Sequence, residues 1–110
     1  VARLEAAKTG RLLQIRELRA KARAAIARIQ RLDDRIALYE QTLLPQMEAQ
    51  ASAALTAYNH DDGDFAEAVR GRIDELNARV ELIQMKAERA KNLASFRYLT
   101  ADTSEPSLFQ

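Results

Sequence analysis

The sequence YNHDDGDF, residues 58–65, interrupts two long helical patterns. Asn, Asp and Gly favour tight turns because their backbones tolerate conformations that other residues avoid. We therefore expect residues 59–64 to reverse the chain and to form the tip of a hairpin.

On either side of this tip, apolar residues recur at alternating steps of four and three. Before the tip they are Leu18, Ala22, Ala25, Ile29, Leu32, Ile36, Tyr39 and Leu43, and after it they are Val69, Ile73, Leu76, Val80, Ile83, Ala87, Ala90 and Ala94. Such an alternation places the apolar side chains in one narrow stripe that faces a partner helix, as in a coiled coil. The sequence predicts an all-α fold: a long antiparallel two-helix coiled-coil hairpin that self-associates into a helical bundle.

The pattern also gives boundaries within a single domain, residues 1–110. We expect a first helix over residues 3–59, a tip over 59–64, a second helix over 65–99 and a polar tail over 100–110. Pro45 predicts a kink in the first helix, since proline lacks an amide donor and crowds the carbonyl of Gln41.

Pairing the helices across the tip makes further predictions. Tyr58 should face Phe65, and Ala51 should face Ile73. A second face of the hairpin is then left for association, and it should include Leu82, Met85, Leu93 and Phe96.

Composition restricts the possible functions. The 110 residues include no Cys, which excludes disulfides and thiolate metal sites. No apolar run approaches the roughly 20 residues that span a bilayer. The arrangements of nucleophile, base and oxyanion donors that enzymes use are missing. The sequence therefore predicts no enzyme, no catalytic residues and no cofactor.

The net charge of +1 hides an asymmetry. Residues 1–35 hold ten Lys or Arg against four acidic residues, a balance of +6. A basic arm of this kind can bind nucleic acid, but its charges point in many directions and no aromatic residue lies near to stack on bases. A free-standing coiled-coil module that binds nucleic acid is therefore an alternative, and a solvated helix face is the plainer interpretation.

The tip residues have structural interpretations of their own. Asp64 is placed to cap the second helix, with Glu67 completing a capping box. Tyr58 and Phe65 should clasp each other across the turn. The single His60 lies among aspartates, but it has no second His or Cys at ligand spacing, so we predict no metal site.

Several spacings resemble a known family. Leu43-Leu44-Pro45-Gln46 is followed by Tyr58, thirteen residues after the proline, and then by Asp64-Phe65. Tyr39 upstream and Leu99-Thr100 downstream fit the same pattern. Together they resemble the second helical hairpin of the TolC-like outer-membrane efflux factors, over about residues 12–100, and most closely the heavy-metal and related efflux branches. The sequence departs from that family at Asp61, where a glycine is usual, and at Arg70, where an acidic residue is common.

The resemblance implies a function by assembly in the periplasm, within an outer-membrane protein, although the chain as given is expected to be soluble. Such hairpins form the wall of a trimeric tunnel, and their tips dock a periplasmic adaptor that connects to an inner-membrane pump. The implied docking residues are Tyr58, Asp61, Asp62, Gly63, Asp64, Phe65, Glu67 and Arg70. The adaptor's own hairpin is another interpretation, which the spacing from Pro45 to Tyr58 disfavours. The isolated chain should form a dimer or a larger assembly.

Overall fold

The computed structural model describes the backbone of residues 1–108 and the side chains of residues 1–101. Apart from Val1 and residues 60–64, every described residue is helical, which confirms the all-α prediction. Helix α1 spans Ala2–Leu38, a π-helical segment spans Tyr39–Leu43, helix α2 spans Leu44–Asn59, and helix α3 spans Phe65–Leu108.

Helix α3 runs past the end that the sequence predicted near residue 99. The predicted polar tail is helical as far as Leu108, and its last residues, Phe109 and Gln110, lie outside the described part of the chain. Residues such as Thr and Asp lower helix propensity by only about 0.7 kcal/mol or less each. Loss of the apolar pattern is therefore not enough to end a helix.

The turn before Pro45 is π-helical. The amide of Leu44 donates to the carbonyl of Tyr39, five residues back instead of four. Pro45 follows at the start of α2, where its missing amide and its ring disturb the preceding turn most. The irregularity predicted at Pro45 therefore takes the form of a widened turn over Tyr39–Leu43.

This π segment also changes the spacing of the side chains that are shielded from solvent. Before it they repeat every seven residues, and so they do after it, but across it the interval is eight. The positions are Leu32, Tyr39, Met47 and Ala54 in one row, and Ile29, Ile36, Leu44 and Ala51 in the other. The π segment thus takes up one extra residue in the heptad repeat.

Contacts divide the chain into two units. One unit contains Val1–Arg31 and the chain from Arg89, and the other is Leu32–Glu88. In the first unit, Ala25 is buried. In the second, a core cluster forms from Leu32, Leu82 and Met85.

Within Leu32–Glu88, α3 contacts the preceding helical residues at several levels. The ring centroids of Tyr58 and Phe65 lie 5.4 Å apart, as the sequence predicted. Further along, Gly71 lies against Ala51, Arg79 approaches Glu48 at 3.9 Å between Nη2 and Oε2, and Lys86 Nζ lies 3.4 Å from Glu40 Oε1. In these contacts, residues progressively earlier in the chain before the tip meet residues progressively later in the chain after it.

The α3 residues that face these contacts are not the ones that the sequence predicted. Ala68, Glu75, Ala78, Leu82 and Met85 are buried. The predicted stripe that starts at Val69 and Ile73 is exposed throughout. Ala51 accordingly meets Gly71 instead of Ile73, and the predicted second face is wrong at Leu82 and Met85. Near the tip, the small residues Ala51, Ala68 and Gly71 allow the helix backbones to approach closely. Further from the tip, Leu82 and Met85 pack with Leu32 in the core cluster.

Candidate functional site

The tip is built from two complementary helix ends. Asp61 adopts a left-handed conformation, with φ of 61°. The amide of Asp62 donates to the carbonyl of Ala57 at 2.8 Å, and the amide of Asp61 donates to that of Tyr58 at 3.1 Å. These two bonds form a Schellman motif, which satisfies carbonyls at the end of α2.

Helix α3 begins with the cap that the sequence predicted. The Asp64 carboxylate accepts a hydrogen bond from the amide of Ala66 at 3.1 Å, so Asp64 is the N-cap. The second hydrogen bond of the predicted capping box, in which the Glu67 side chain accepts from the backbone amide of Asp64, stays a prediction. Position 63 requires glycine because of space, since a Cβ there would lie only 2.9 Å from the backbone nitrogen of Tyr58. The turn therefore depends on an acid at position 64 and on the absence of a side chain at position 63.

The clasp of Tyr58 and Phe65 leaves an apolar hollow on one side of the tip. The hollow has a volume of about 190 Å³ and is lined by Ala51, Leu55, Tyr58, Phe65, Ala68, Val69 and Arg72. A second, more open hollow is lined by Phe65, Ala66, Val69, Arg70 and Ile73. All eight predicted docking residues are exposed, including Tyr58 and Phe65. Their role in docking stays a prediction.

Helix α3 contains a buried carboxylate that the sequence analysis did not predict. Glu75 is 2% exposed. Its carboxylate accepts from Arg72 Nη1 at 2.7 Å and from Arg79 Nη2 at 3.0 Å, so the buried charge is paired on both oxygens. The one available signal was the spacing of Arg72 and Arg79, three residues before and four after Glu75, which suits ion pairs on one helix.

These contacts change the pKa values of two groups. Hydrogen bonding to Arg79, and then to Arg72, lowers the pKa of Glu75, although its burial opposes the shift. The Tyr39 hydroxyl donates to the Glu81 carboxylate at 2.5 Å. This bond, together with desolvation, raises the pKa of Tyr39.

The largest unpartnered feature of Leu32–Glu88 is the apolar row on the other side of α3. We call it the outer stripe, and its members are Val69, Ile73, Leu76, Val80 and Ile83, with exposures between 38% and 66%. The steps of four, three, four and three between these residues are those of a coiled-coil seam. The outer stripe therefore has the residue spacing of a coiled-coil seam, and it is exposed to solvent in the described chain.

The charges beside the outer stripe are largely compensated. On the side nearer Glu75, the basic side chains of Arg72 and Arg79 are bonded to that carboxylate, and Lys86 pairs with Glu40. On the other side, the successive heptad positions hold the exposed Arg70 and the uncharged Asn77 and Gln84. A second helix can therefore approach without a large electrostatic penalty.

No group of three or more His, Asp or Glu side chains in the described residues could hold a metal ion. None of the described helices is both long enough and apolar enough to cross a membrane.

The described residues define an all-α protein whose helix α3 carries an exposed apolar row. A family model described as "Putative rhamnosyl transferase" matches residues 1–107, and the chain belongs to that family. No curated protein and no solved structure matches the chain.

This membership corrects the resemblance drawn from the sequence. The chain is not a TolC-like efflux factor, and the predicted efflux function is wrong. The trimer, the adaptor and the pump were implied by the same resemblance, lose its support and remain untested predictions. The periplasmic location came from the same resemblance and loses that support. The family description also names an enzyme, which stands against the prediction of no enzymatic role.

Proposed function

We propose that this chain takes part in rhamnosyl transfer as a helical assembly module. In this proposal the chain is an antiparallel hairpin, and a second copy packs on the outer stripe of α3. The family description supports the link to rhamnosyl transfer. The observation that carries the assembly role is the exposed heptad row from Val69 to Ile83.

The hairpin is supported by the contacts within Leu32–Glu88. Tyr58 with Phe65, Ala51 with Gly71, and Glu40 with Lys86 lie progressively further from the tip on both sides. Pairs in this order are expected when two helices run in opposite directions from one turn. The interhelical ion pairs add little energy, because each is half exposed.

Self-association is supported by the amount and pattern of exposed apolar surface. Five large aliphatic side chains form a continuous row on α3, and Phe65 extends it towards the tip with 61% of its surface exposed. Monomeric proteins rarely leave long apolar rows in water. A second copy would cover this row with an identical one, as symmetric helix pairs do.

An assembly role also fits the chemistry of the described hollows better than catalysis does. Transfer of a sugar needs a group that accepts the proton of the attacking hydroxyl, usually a carboxylate. The hollow of about 190 Å³ beside the tip has apolar side chains and Arg72 in its wall. Its volume is below the roughly 300 Å³ at which small-molecule sites begin. The second hollow is larger, at about 350 Å³, but its wall holds no carboxylate.

The test is the mass of the full chain by sedimentation equilibrium between about 1 and 100 µM. We expect a dimer or a larger species, and Ile73→Glu with Val80→Glu should convert it to monomer by placing charges in the seam. The matched control is Ala49→Glu with Ala53→Glu, which adds the same charge at exposed positions of α2. A wild-type monomer over the whole range would contradict the proposal.

The catalytic part is tested with the same samples. An activated rhamnose donor, such as a nucleoside diphosphate rhamnose, is incubated with the chain, and the release of the nucleotide is followed. Turnover by the monomeric double variant at the wild-type rate would mean that the chain is catalytic without assembly, and the proposed role would then be wrong.

A further inference from the structure

The first 31 residues carry most of the positive charge of the chain. Nine Lys or Arg lie there against Glu5 and Glu17. All nine are exposed: Arg3, Lys8, Arg11, Arg16, Arg19, Lys21, Arg23, Arg28 and Arg31. A balance of +7 on one helical segment is enough to attract a polyanion from solution.

Five of the six large apolar side chains that are exposed in this segment share one face, and the sixth, Leu13, lies about 100° from the edge of that face. Val1, Leu4, Leu12, Ile15 and Ile26 are between 39% and 100% exposed. With 100° per residue, their positions fall within an arc of about 80° on the helix. This face is not the one that contains the buried Ala25.

Basic residues surround this apolar face. Lys8 and Arg19 fall inside the same arc, and Arg11, Arg16 and Arg23 lie within about 40° of its edges. Long basic side chains of this kind can place their stems along apolar surface while their charges reach outward. Five of the nine basic charges, against the single acid Glu5, can therefore act on the same side as the exposed Leu and Ile residues.

We propose that residues 1–31 bind the surface of an anionic lipid bilayer. The leucine and isoleucine side chains would enter the boundary between headgroups and acyl chains, and the lysines and arginines would contact lipid phosphates. This inference does not depend on the proposed assembly role. It concerns the surface of a bilayer, not a helix that crosses one.

Nucleic acid is the competing polyanion, and the apolar face argues against it. Contacts with phosphates would use the basic side chains but would leave Leu4, Leu12 and Ile15 in water. Residues 1–31 contain no aromatic side chain to stack on bases. A lipid surface uses both the charges and the apolar side chains.

The experiment is co-sedimentation of the full chain with vesicles. Vesicles of phosphatidylcholine and phosphatidylglycerol in equal amounts are compared with vesicles of phosphatidylcholine alone, at 50 and 500 mM NaCl. We expect binding to the anionic vesicles at low salt, and a partition coefficient at least about 10-fold lower at high salt. Binding to neutral vesicles should be weaker by a similar factor.

Two variants with the same change in charge locate the binding surface. Arg16→Glu, Arg19→Glu and Arg23→Glu together should lower the partition coefficient by about 100-fold or more. The control carries Arg70→Glu, Lys91→Glu and Arg97→Glu, which are also exposed, and it should stay within about threefold of wild type. Circular dichroism checks that both variants remain helical.

A further variant tests the apolar face. Leu12→Gln with Ile15→Gln leaves the charge unchanged and should reduce binding by about 10-fold or more. The proposal is overturned if the two charge variants lose binding equally, or if wild type does not bind anionic vesicles at 50 mM NaCl. Tighter binding to duplex DNA than to anionic vesicles would also overturn it, in favour of a nucleic-acid surface.

Discussion

Asp61 is the residue at which the turn is most strained. Its φ of 61° places an ordinary side chain in the left-handed region, where glycine has no steric penalty. We therefore expect Asp61→Gly to raise stability by about 0.5 kcal/mol, the steric gain being reduced by the entropy that glycine loses on folding. Urea unfolding followed by circular dichroism measures the change.

The neighbouring Asp62 supplies the control for this prediction. It is exposed like Asp61 but has a negative φ, so Asp62→Gly gains nothing sterically and should lower stability slightly. Equal effects of the two substitutions would show that the conformation of Asp61 costs no free energy.

Glu75 should make stability depend on pH. Its pKa is lowered in the folded state from the ordinary value of 4.5, so folding favours the charged carboxylate. This contribution is complete above about pH 4.5 and is lost as the pH falls through the lower folded-state pKa. We expect Glu75→Gln to lower the melting temperature at pH 7 by more than it does at pH 3.

Asp74 provides the comparison for Glu75. It is the adjacent acid on α3, and its side chain is exposed. Asp74→Asn should change the melting temperature little at either pH, since exposed substitutions away from special contacts have small effects. If Glu75→Gln shifted the melting temperature equally at pH 7 and pH 3, the paired carboxylate would have no part in stability.

At the scale of the element, α3 has two stripes of different character. The inner stripe consists of the buried residues Ala68, Glu75, Ala78, Leu82 and Met85. Beside it, Gly71 of α3 lies against Ala51 of α2, which is 1% exposed. Ala51→Leu should force the helices apart and cost about 1–3 kcal/mol. Ala53→Leu adds the same atoms at an exposed position and should cost much less. Thermal melting compares them, and equal losses would refute this packing.

Part of this architecture could be predicted from the sequence. The tip, the N-cap at Asp64 and the clasp of Phe65 with Tyr58 follow from local chemistry, because turn residues and caps act over a few positions. The inner stripe of α3 could not be predicted, since a buried Glu75 breaks its apolar pattern. Two heptad rows compete on this helix, and apolar volume alone selects the wrong one.

The mistaken resemblance to efflux factors has a physical basis in the same elements. Pro45 accompanies a π turn, Asp64 caps a helix, and Phe65 covers the tip. An N-cap acid and an aromatic contact suit any two helices that are joined by a short turn, and a proline can accompany a widened turn in any long helix. These motifs therefore report the geometry of a helical tip, and they do not identify the family that contains it.

For the whole molecule, association should be visible in thermal unfolding. If folded copies bind each other, dilution favours the unfolded chain and the melting temperature depends on concentration. We expect a rise of about 5 °C or more between 1 and 100 µM. The variant with Ile73→Glu and Val80→Glu should show almost no dependence. A melting temperature of wild type that is independent of concentration would exclude coupled association and folding.

The π segment over Tyr39–Leu43 has a consequence for how the gene can change. Its extra residue is what a one-codon insertion into a regular heptad helix would leave behind. Removing Thr42, which is exposed, would restore seven-residue intervals from Leu32 through Ala54 without rotating either end against its neighbours. This stretch of the chain is therefore where a single-codon deletion should be tolerated, whereas the same deletion within α2 would turn Ala51 away from Gly71.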